Sequence, residues 1–239
     1  VFLSPLINLV LRVAPPRIAF RVEQMRLQRW RSTEPEWLLL PELTDPARAA
    51  VDVGGNHGLY AGRLARICPR VHCFEPQPAL AMELQEKLPR NVTIHSMALS
   101  DREGSAELRI PPEDDGRASL HPGSPVQGET LRVPLRRLDD VVSEPVGFVK
   151  IDVEGHEMEV LRGAEHILRR DRPTLLIESE AAHQPGQPFE LFRHLLQRGY
   201  QGWFLWRGEN VPIAAFSLEK HQRPDRAGGY ANNFVFQPA

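Results

Sequence analysis

Acidic side chains recur in this chain at the ends of short apolar runs. Asp152 and Glu154 follow Gly147–Ile151, and Glu178 and Glu180 follow Thr174–Ile177. Asp52 interrupts Val51 and Val53, and Glu75 follows Val71–Phe74. Carboxylates in such places accept hydrogen bonds from hydroxyls, orient an ammonium, or take a proton as a new bond forms. Asp152 is the first choice for a reacting-centre residue. It can orient a ligand ammonium or an acceptor hydroxyl, or cap the helix that follows, a duty Glu154 can also take. His156, on the first turn after Glu154, has the intrinsic pKa of a general base, yet also reads as a surface helix residue. Glu178 is a second candidate base or a structural carboxylate at a strand end. His183, in the loop after Glu180, is within sequence reach of an acceptor. Asp152, Glu178 and Glu180 are also hard oxygen ligands that can hold a divalent cation and so lower a hydroxyl's pKa. They come from different strands with no ligand spacing, so a metal is not favoured. His72 and His95 lie inside strands and read as core or surface residues.

The elements that position these groups alternate regularly from residue 49. Strands are expected at Ala49–Val53, Val71–Phe74, Val92–Ala98, Gly147–Ile151 and Thr174–Ile177. Helices are expected at His57–Ile67, Ala79–Leu88, Glu157–Arg170 and Phe189–Arg198, the last stopped by Gly199. Strands alternating with helices imply βαβ units and a parallel sheet. Residues 103–135 break the rhythm with short strands at Ser105–Ile110 and Thr130–Pro134 around a loop holding Ser119 and His121. That insertion reads as a substrate rim or as plain surface. Gly202–Trp206 and Asn233–Phe236 are expected to pair antiparallel at one edge.

Between the first strand and helix lies Val51-Asp52-Val53-Gly54-Gly55-Asn56-His57-Gly58-Leu59-Tyr60. Glycines there permit backbone torsions and close approaches that a side chain forbids. In an open parallel sheet this turn opens a ligand crevice, although an ordinary tight turn uses glycines too. A dinucleotide fold wants Gly-x-Gly-x-x-Gly, but Asn56 stands where the second glycine belongs. A phosphate loop is excluded because its Lys-Ser/Thr is missing. Asp-x-Gly-x-Asn-x-Gly suits a ligand without a pyrophosphate, such as S-adenosylmethionine. Glu75, 23 residues after Asp52, is placed to accept ribose hydroxyls or to sit at a helix N-terminus. Ser100 and Asp101 offer groups for an adenine edge, or form a turn before Gly104.

These residues, with Phe74-Glu75-Pro76, Lys150-Ile151-Asp152-Val153-Glu154-Gly155-His156-Glu157, Val160-Leu161-Arg162-Gly163-Ala164 and Asn233-Phe234-Val235-Phe236, resemble the FkbM family of S-adenosylmethionine-dependent methyltransferases. The resemblance covers about residues 50–238. It implies an α/β, Rossmann-like class I methyltransferase: a seven-stranded, mostly parallel sheet with the last strand antiparallel and helices on both faces. It implies O-methylation of a hydroxyl on a sugar, polyketide or similar secondary metabolite. The cofactor contacts it suggests are Asp52, Gly54, Asn56, Gly58, Tyr60, Glu75, Pro76, Ser100 and Asp101. Gly55 stands where alanine is commoner in the family.

Residues 1–45 lie outside that resemblance and read as a helical extension, with residues 46–239 as the methyltransferase domain. Val1–Ala14 is apolar nearly all round, shorter than the roughly 18–20 residues that span a bilayer, and lacks a basic leader. Arg17–Arg31 is a basic helix: a solvated face, a cap, a dimer arm or a membrane-surface contact. Glu34–Leu43 is a further helix with Trp37, Leu38 and Leu40 facing inward. The 239 residues carry a formal charge of −2 and 41% apolar side chains, an ordinary soluble composition with no global attraction to nucleic acid. Outside residues 12–31 there is no basic stripe with aromatics, which argues against a nucleic-acid substrate. Methylation of nucleic acid or protein and a non-catalytic scaffold remain the alternatives. The two cysteines, Cys68 and Cys73, suit neither a disulfide nor a metal pair and fit a reducing cytoplasm.

Overall fold

The computed structural model describes residues 14–20, 22, 34–112, 118–120, 128–181, 186–223 and 229–239. Val1–Val13, most of the basic stretch after them, His121 and His183 lie outside these residues. Eleven strands are formed among the described residues: β1 (Ala49–Val53), β2 (Val71–Phe74), β3 (Val92–His95), β4 (Ala98–Leu99), β5 (Gly104–Ile110), β6 (Glu129–Arg136), β7 (Val146–Ile151), β8 (Thr174–Glu178), β9 (Tyr200–Trp206), β10 (Glu209–Pro212) and β11 (Asn233–Pro238). The main sheet has the order β10-β9-β11-β8-β7-β1-β2-β3. Its centre, β2-β1-β7-β8, is parallel, and β11 runs antiparallel between β8 and β9. β1 and β7 are buried along their whole length, as strands covered on both faces must be.

Two cores lie on opposite faces. One packs Val51, Val149, Ile151 and Ile177 against α4 (Leu138–Val141), α5 (Glu157–Arg162), α6 (Glu165–Arg170) and α7 (Gln187–Leu196). The other packs Ala50, Phe148, Leu176 and Val235 under α2 (Leu59–Leu64), α3 (Pro78–Lys87) and the segment Pro35–Leu43. That segment is a 3-10 turn, Pro35–Leu39, running into α1 (Leu40–Leu43). Trp37 and Leu40 are buried in it, whereas Leu38, expected inside, is 47% exposed. A run of three cannot all face one way on so short a helix.

Several boundaries differ from expectation for identifiable reasons. The expected strand Val92–Ala98 is divided: β3 ends at His95, and β4 joins a second sheet of order β4-β6-β5 with its own small core. The expected helix Glu157–Arg170 is two helices broken at Gly163. A Cβ on Gly163 would lie 2.0 Å from the Ser100 carbonyl oxygen, and the Asp139 carboxylate accepts the N–H groups of His166 and Ile167 to start α6. The helix after β1 is shortened to Leu59–Leu64. β9 and β11 do pair antiparallel, but β10 occupies the edge. The order reverses between β1 and β7, the switch point where open α/β sheets bind ligands.

Candidate active site

The turn after β1 is held against its neighbours by backbone bonds. Gly54 and Gly55 N–H both donate to the Phe74 carbonyl at 3.0 Å, and Asp152 N–H donates to Val53 at 3.0 Å. Gly54 has φ +83°, and a Cβ there would lie 1.8 Å from the Asp152 carbonyl oxygen, so glycine is required where β1 and β7 part. Asn56 follows with φ +43°. Glu75, only 3% exposed, ties this turn to the one after β2: Oε2 accepts Asn56 N–H at 2.8 Å and Oε1 accepts Gln77 N–H at 2.9 Å. A pocket opens over this junction. Gly54, Asn56, Glu75 and Pro76 form one wall, Met97, Leu99, Leu108 and Leu120 an apolar wall, and Asp152 and Glu154 the rim beside β7. Asn56 Oδ1 is buried there without a hydrogen-bond partner. An apolar slot with acidic and amide acceptors fits an adenosine with its ribose, and the bare glycine backbone leaves room beside it.

On the face covered by Pro35–Leu43, a polar row crosses four neighbouring strands. Asp52 on β1 is registered with Lys150 on β7, and Glu178 on β8 with Asn233 on β11. Lys150 is 1% exposed; its Nζ donates to Asn233 Oδ1 at 3.1 Å and lies 3.5 Å from Asp152 Oδ2 and 3.8 Å from Glu178 Oε2. The ammonium also sits 5.0 Å from the centroid of the Tyr60 ring. The Tyr60 hydroxyl donates to Glu34 Oε2 at 2.5 Å, which fastens the start of the covering segment over the row. Burial works against the Lys150 charge, but Asp152, Glu34, Glu178 and Asp52 together hold its pKa above the usual lysine value. Burial pushes Asp52 up to about 7 against the pull of Lys150, and leaves its Oδ2 unpartnered. Glu178 is raised by burial and by the neighbouring Asp152, with Lys150 opposing. Its Oε1 accepts Asn232 Nδ2 at 2.7 Å; the same amide reaches Glu180 Oε1 at 3.0 Å, and the Tyr230 hydroxyl reaches Glu180 Oε2 at 3.1 Å.

The profile of a family described as Methyltransferase FkbM domain matches residues 52–201, from Asp52 through the glycine turn, Glu75 and the Lys150–Glu157 stretch into β9. The chain belongs to the FkbM methyltransferase family. Among curated relatives it is 30% identical to Methyltransferase 1 of Beauveria bassiana over 48% of this chain and 57% of that protein. It is 29% identical to the 2-O-methyltransferase NoeI of Sinorhizobium fredii over 54% and 63%, and 26% identical to the 31-O-demethyl-FK506 methyltransferase FkbM of Streptomyces tacrolimicus over 50% and 60%. The matches thus span 57–63% of those proteins. Among solved structures, Methyltransferase FkbM of Methylobacillus flagellatus superposes with a TM-score of 0.57 at 18% identity, covering 97% of this chain and 58% of that one. SMU.1697c of Streptococcus mutans, solved in complex with SAH, superposes with a TM-score of 0.52 at 12% identity, covering 87% and 99%. Both support the Rossmann-like methyltransferase fold.

Within this FkbM domain the residues singled out from sequence separate into groups. Gly54, Asn56, Glu75, Pro76 and Asp152 line the pocket. Asp52 and Tyr60 lie on the other face beside Lys150, and Gly58, at φ +81°, packs its backbone against Leu84 and Leu88. Ser100 is fully buried; its Oγ lies 3.0 Å from His156 Nε2, and Asp101 is engaged by Arg102. Ser100 thus links His156 and Asp101, next in sequence to Leu99 of the apolar wall. Ser119 Oγ donates to the Glu154 carbonyl at 2.7 Å and ties the rim insertion to the β7 loop. His72, His95 and Glu144 form a chain, Nδ1 to Nε2 at 3.0 Å and Nε2 to Oε1 at 2.6 Å. Among the described residues no group of three or more His, Cys, Asp or Glu is arranged to hold a metal, and no helix is long and apolar enough to cross a membrane. The sequence assigned no site role to Lys150 or Asn233, although both stand in the motifs quoted above, nor to Glu34 or Asn232. Lys150 carried a usable signal, a lysine inside an otherwise apolar central strand, because lysine is almost never fully buried unless paired.

Proposed function

We propose that the protein is an S-adenosylmethionine-dependent O-methyltransferase acting on a hydroxyl of a small molecule, such as a sugar or a secondary metabolite. The observation that carries this reading is the position of Asp152. It belongs both to the rim of the pocket and to the Lys150 row, 3.5 Å from the ammonium. When bound, the cofactor supplies an activated methyl group on a sulfonium, so the chain's own work is positioning and proton removal. The Gly54–Asn56 turn and Glu75 hold the adenosine end, with Asn56 Oδ1 an acceptor that a ligand would satisfy. Asp52 and Tyr60 contribute from the covered face. Asp152, only partly covered and facing the pocket, orients an acceptor hydroxyl and takes its proton as the oxygen attacks. Glu178 shares the row and is the alternative base. Two relatives, the 2-O-methyltransferase NoeI and the 31-O-demethyl-FK506 methyltransferase FkbM, support the choice of oxygen. The acidic groups lining the pocket, Glu75, Asp152 and Glu154, disfavour a phosphate-bearing polymer, which supports a small acceptor over nucleic acid. Residues 34–43 roof the row, and the N-terminal extension to which they belong helps choose the acceptor. Both thiols are free and buried, which fits a cytoplasmic setting.

The experiment combines calorimetry with transfer of labelled methyl from S-adenosylmethionine to a panel of methyl glycosides and macrolactones, with RNA and a protein mixture as controls. Asp152→Asn should keep S-adenosylhomocysteine affinity within about tenfold while transfer falls by about 10²–10⁴-fold. Transfer by the variant at the wild-type rate, or label appearing only in RNA or protein, would refute the reading.

A further inference from the structure

Lys150 is the group that the sequence motifs did not explain. A lysine ammonium with 1% exposure costs several kcal/mol unless charges and hydrogen bonds repay it. Its Nζ donates a hydrogen bond to Asn233 Oδ1 at 3.1 Å and lies 3.5 and 3.8 Å from two carboxyl groups. Those carboxyls come from adjacent strand ends, Asp152 after β7 and Glu178 on β8. The other groups facing it are acidic or aromatic: Asp52 from β1, Glu34 and Glu36 from the covering segment, and the Tyr60 ring from α2. Among the described residues no second cation is part of this set. Neighbouring strands lie about 4.8 Å apart, so without the ammonium the Asp152 and Glu178 carboxyls would face each other with no counter-charge.

Resting on the reading of Asp152 as the proton acceptor, we propose that Lys150 is a positioning residue for methyl transfer: its buried ammonium holds Asp152 at the mouth of the cofactor pocket and separates it from Glu178. Lys150 is not itself the base, since the acids around it keep it charged. It does its work through geometry and field, and a displacement of about 1 Å at a reacting group costs about 10²-fold in rate.

The test compares Lys150→Met, nearly isosteric and uncharged, with Lys150→Arg. Three readouts are taken: S-adenosylhomocysteine affinity by calorimetry, methyl transfer to the best acceptor of the panel, and carbon-detected NMR titration of the side-chain carboxyls, assigned with Glu178→Gln and Asp52→Asn. Lys150→Met should bind S-adenosylhomocysteine within about tenfold of wild type and lose about 100-fold in transfer at unchanged KM for the methyl donor. Removing an opposite charge at this range should raise the Glu178 and Asp52 titration midpoints by about 1–3 pH units. Lys150→Arg should return most of the transfer and reverse most of the titration shift. A folded Lys150→Met chain with wild-type transfer, or with unmoved Glu178 and Asp52 titrations, would overturn the proposal. If the Asp152→Asn chain transfers methyl normally, the proposed base falls instead. The NMR arm needs no acceptor and still decides whether Lys150 controls the row.

Discussion

Replacing Glu75 with glutamine separates two duties that its position combines. The carboxylate braces two loops through Asn56 N–H at 2.8 Å and Gln77 N–H at 2.9 Å, and it also lines the pocket. A carboxylate has about four acceptor sites, so bracing and accepting a ribose hydroxyl are compatible. Glutamine keeps one oxygen and turns an NH2 toward the other backbone N–H. One charge-assisted bond is lost, about 1.5–3 kcal/mol. At about 2–4 °C per kcal/mol for a chain of this size, the apo protein should melt about 3–12 °C lower. If the carboxylate also receives the ribose, S-adenosylhomocysteine affinity should fall about 10- to 150-fold by the same bond energy. The deciding assay is calorimetry with S-adenosylhomocysteine and its 2′-deoxy and 3′-deoxy analogues on both proteins. A ribose contact predicts a coupling of about 1–2 kcal/mol between the substitution and the missing hydroxyl. Equal losses for all three ligands would show that Glu75 is a brace alone and would refute its role as a ligand contact.

Two further predictions concern packing and pH. A Cβ on Gly55 would lie 2.3 Å from Cys73 Sγ, so Gly55→Ala should cost about 1–3 kcal/mol by overpacking. Adding Cys73→Ala should recover part of this, giving a favourable coupling above about 1 kcal/mol in urea melts of the four proteins; additivity within about 0.5 kcal/mol would refute the contact. Glu36, 5% exposed, is pushed by burial from 4.5 up to about 7. Below pH 4.5 both states hold the proton; between 4.5 and about 7 the unfolded chain releases it and the folded chain keeps it, so stability falls across that window. Glu36→Gln removes this slope, and its stability relative to wild type should improve by about 3 kcal/mol between pH 4.5 and 8. An unchanged difference between the two pH values would refute the burial argument.

The parallel centre of the fold was legible because its signals are local. β-branched runs, a glycine turn and apolar spacing mark β1, β2, β7 and β8 and the helices between them. What escaped depends on partners distant in sequence. β3 and β4 read as one run, yet β4 leaves the main sheet for β6, about 37 residues away by its Ala98–Leu135 register. The helix break at Gly163 is set by the Ser100 backbone and the Asp139 carboxylate, neither of which announces itself in the helix. The glycine turn and Glu75 carry local signals because backbone geometry dictates them, and the structure joins them through the Asn56 N–H. Ser100 and His156 were singled out by type and position, and the structure places Ser100 Oγ 3.0 Å from His156 Nε2, a contact between residues 56 apart that the sequence does not announce. The polar row was readable only residue by residue: Lys150 stood out inside an apolar strand, and Asp52 and Glu178 at strand ends, but their grouping with Asn233 depends on the strand order that places them side by side.

That strand order also explains why one carboxylate borders two regions. Alternation sends Val53 and Ile151 to one face and Asp52 and Lys150 to the other. The pocket therefore draws its walls from the tips of β1, β2 and β4, whereas the row lies under Pro35–Leu43 on the opposite face. Asp152, the first residue beyond β7, leaves the alternating strand and borders both. A residue in that position can sense the charge of the buried row and face a ligand at once. The cost of burying Lys150 is then offset by holding a partly exposed carboxylate in place. In the same way the covering segment is tied to the row through the Tyr60–Glu34 hydrogen bond, so a change in that segment reaches Lys150 and its partners without touching the pocket lining.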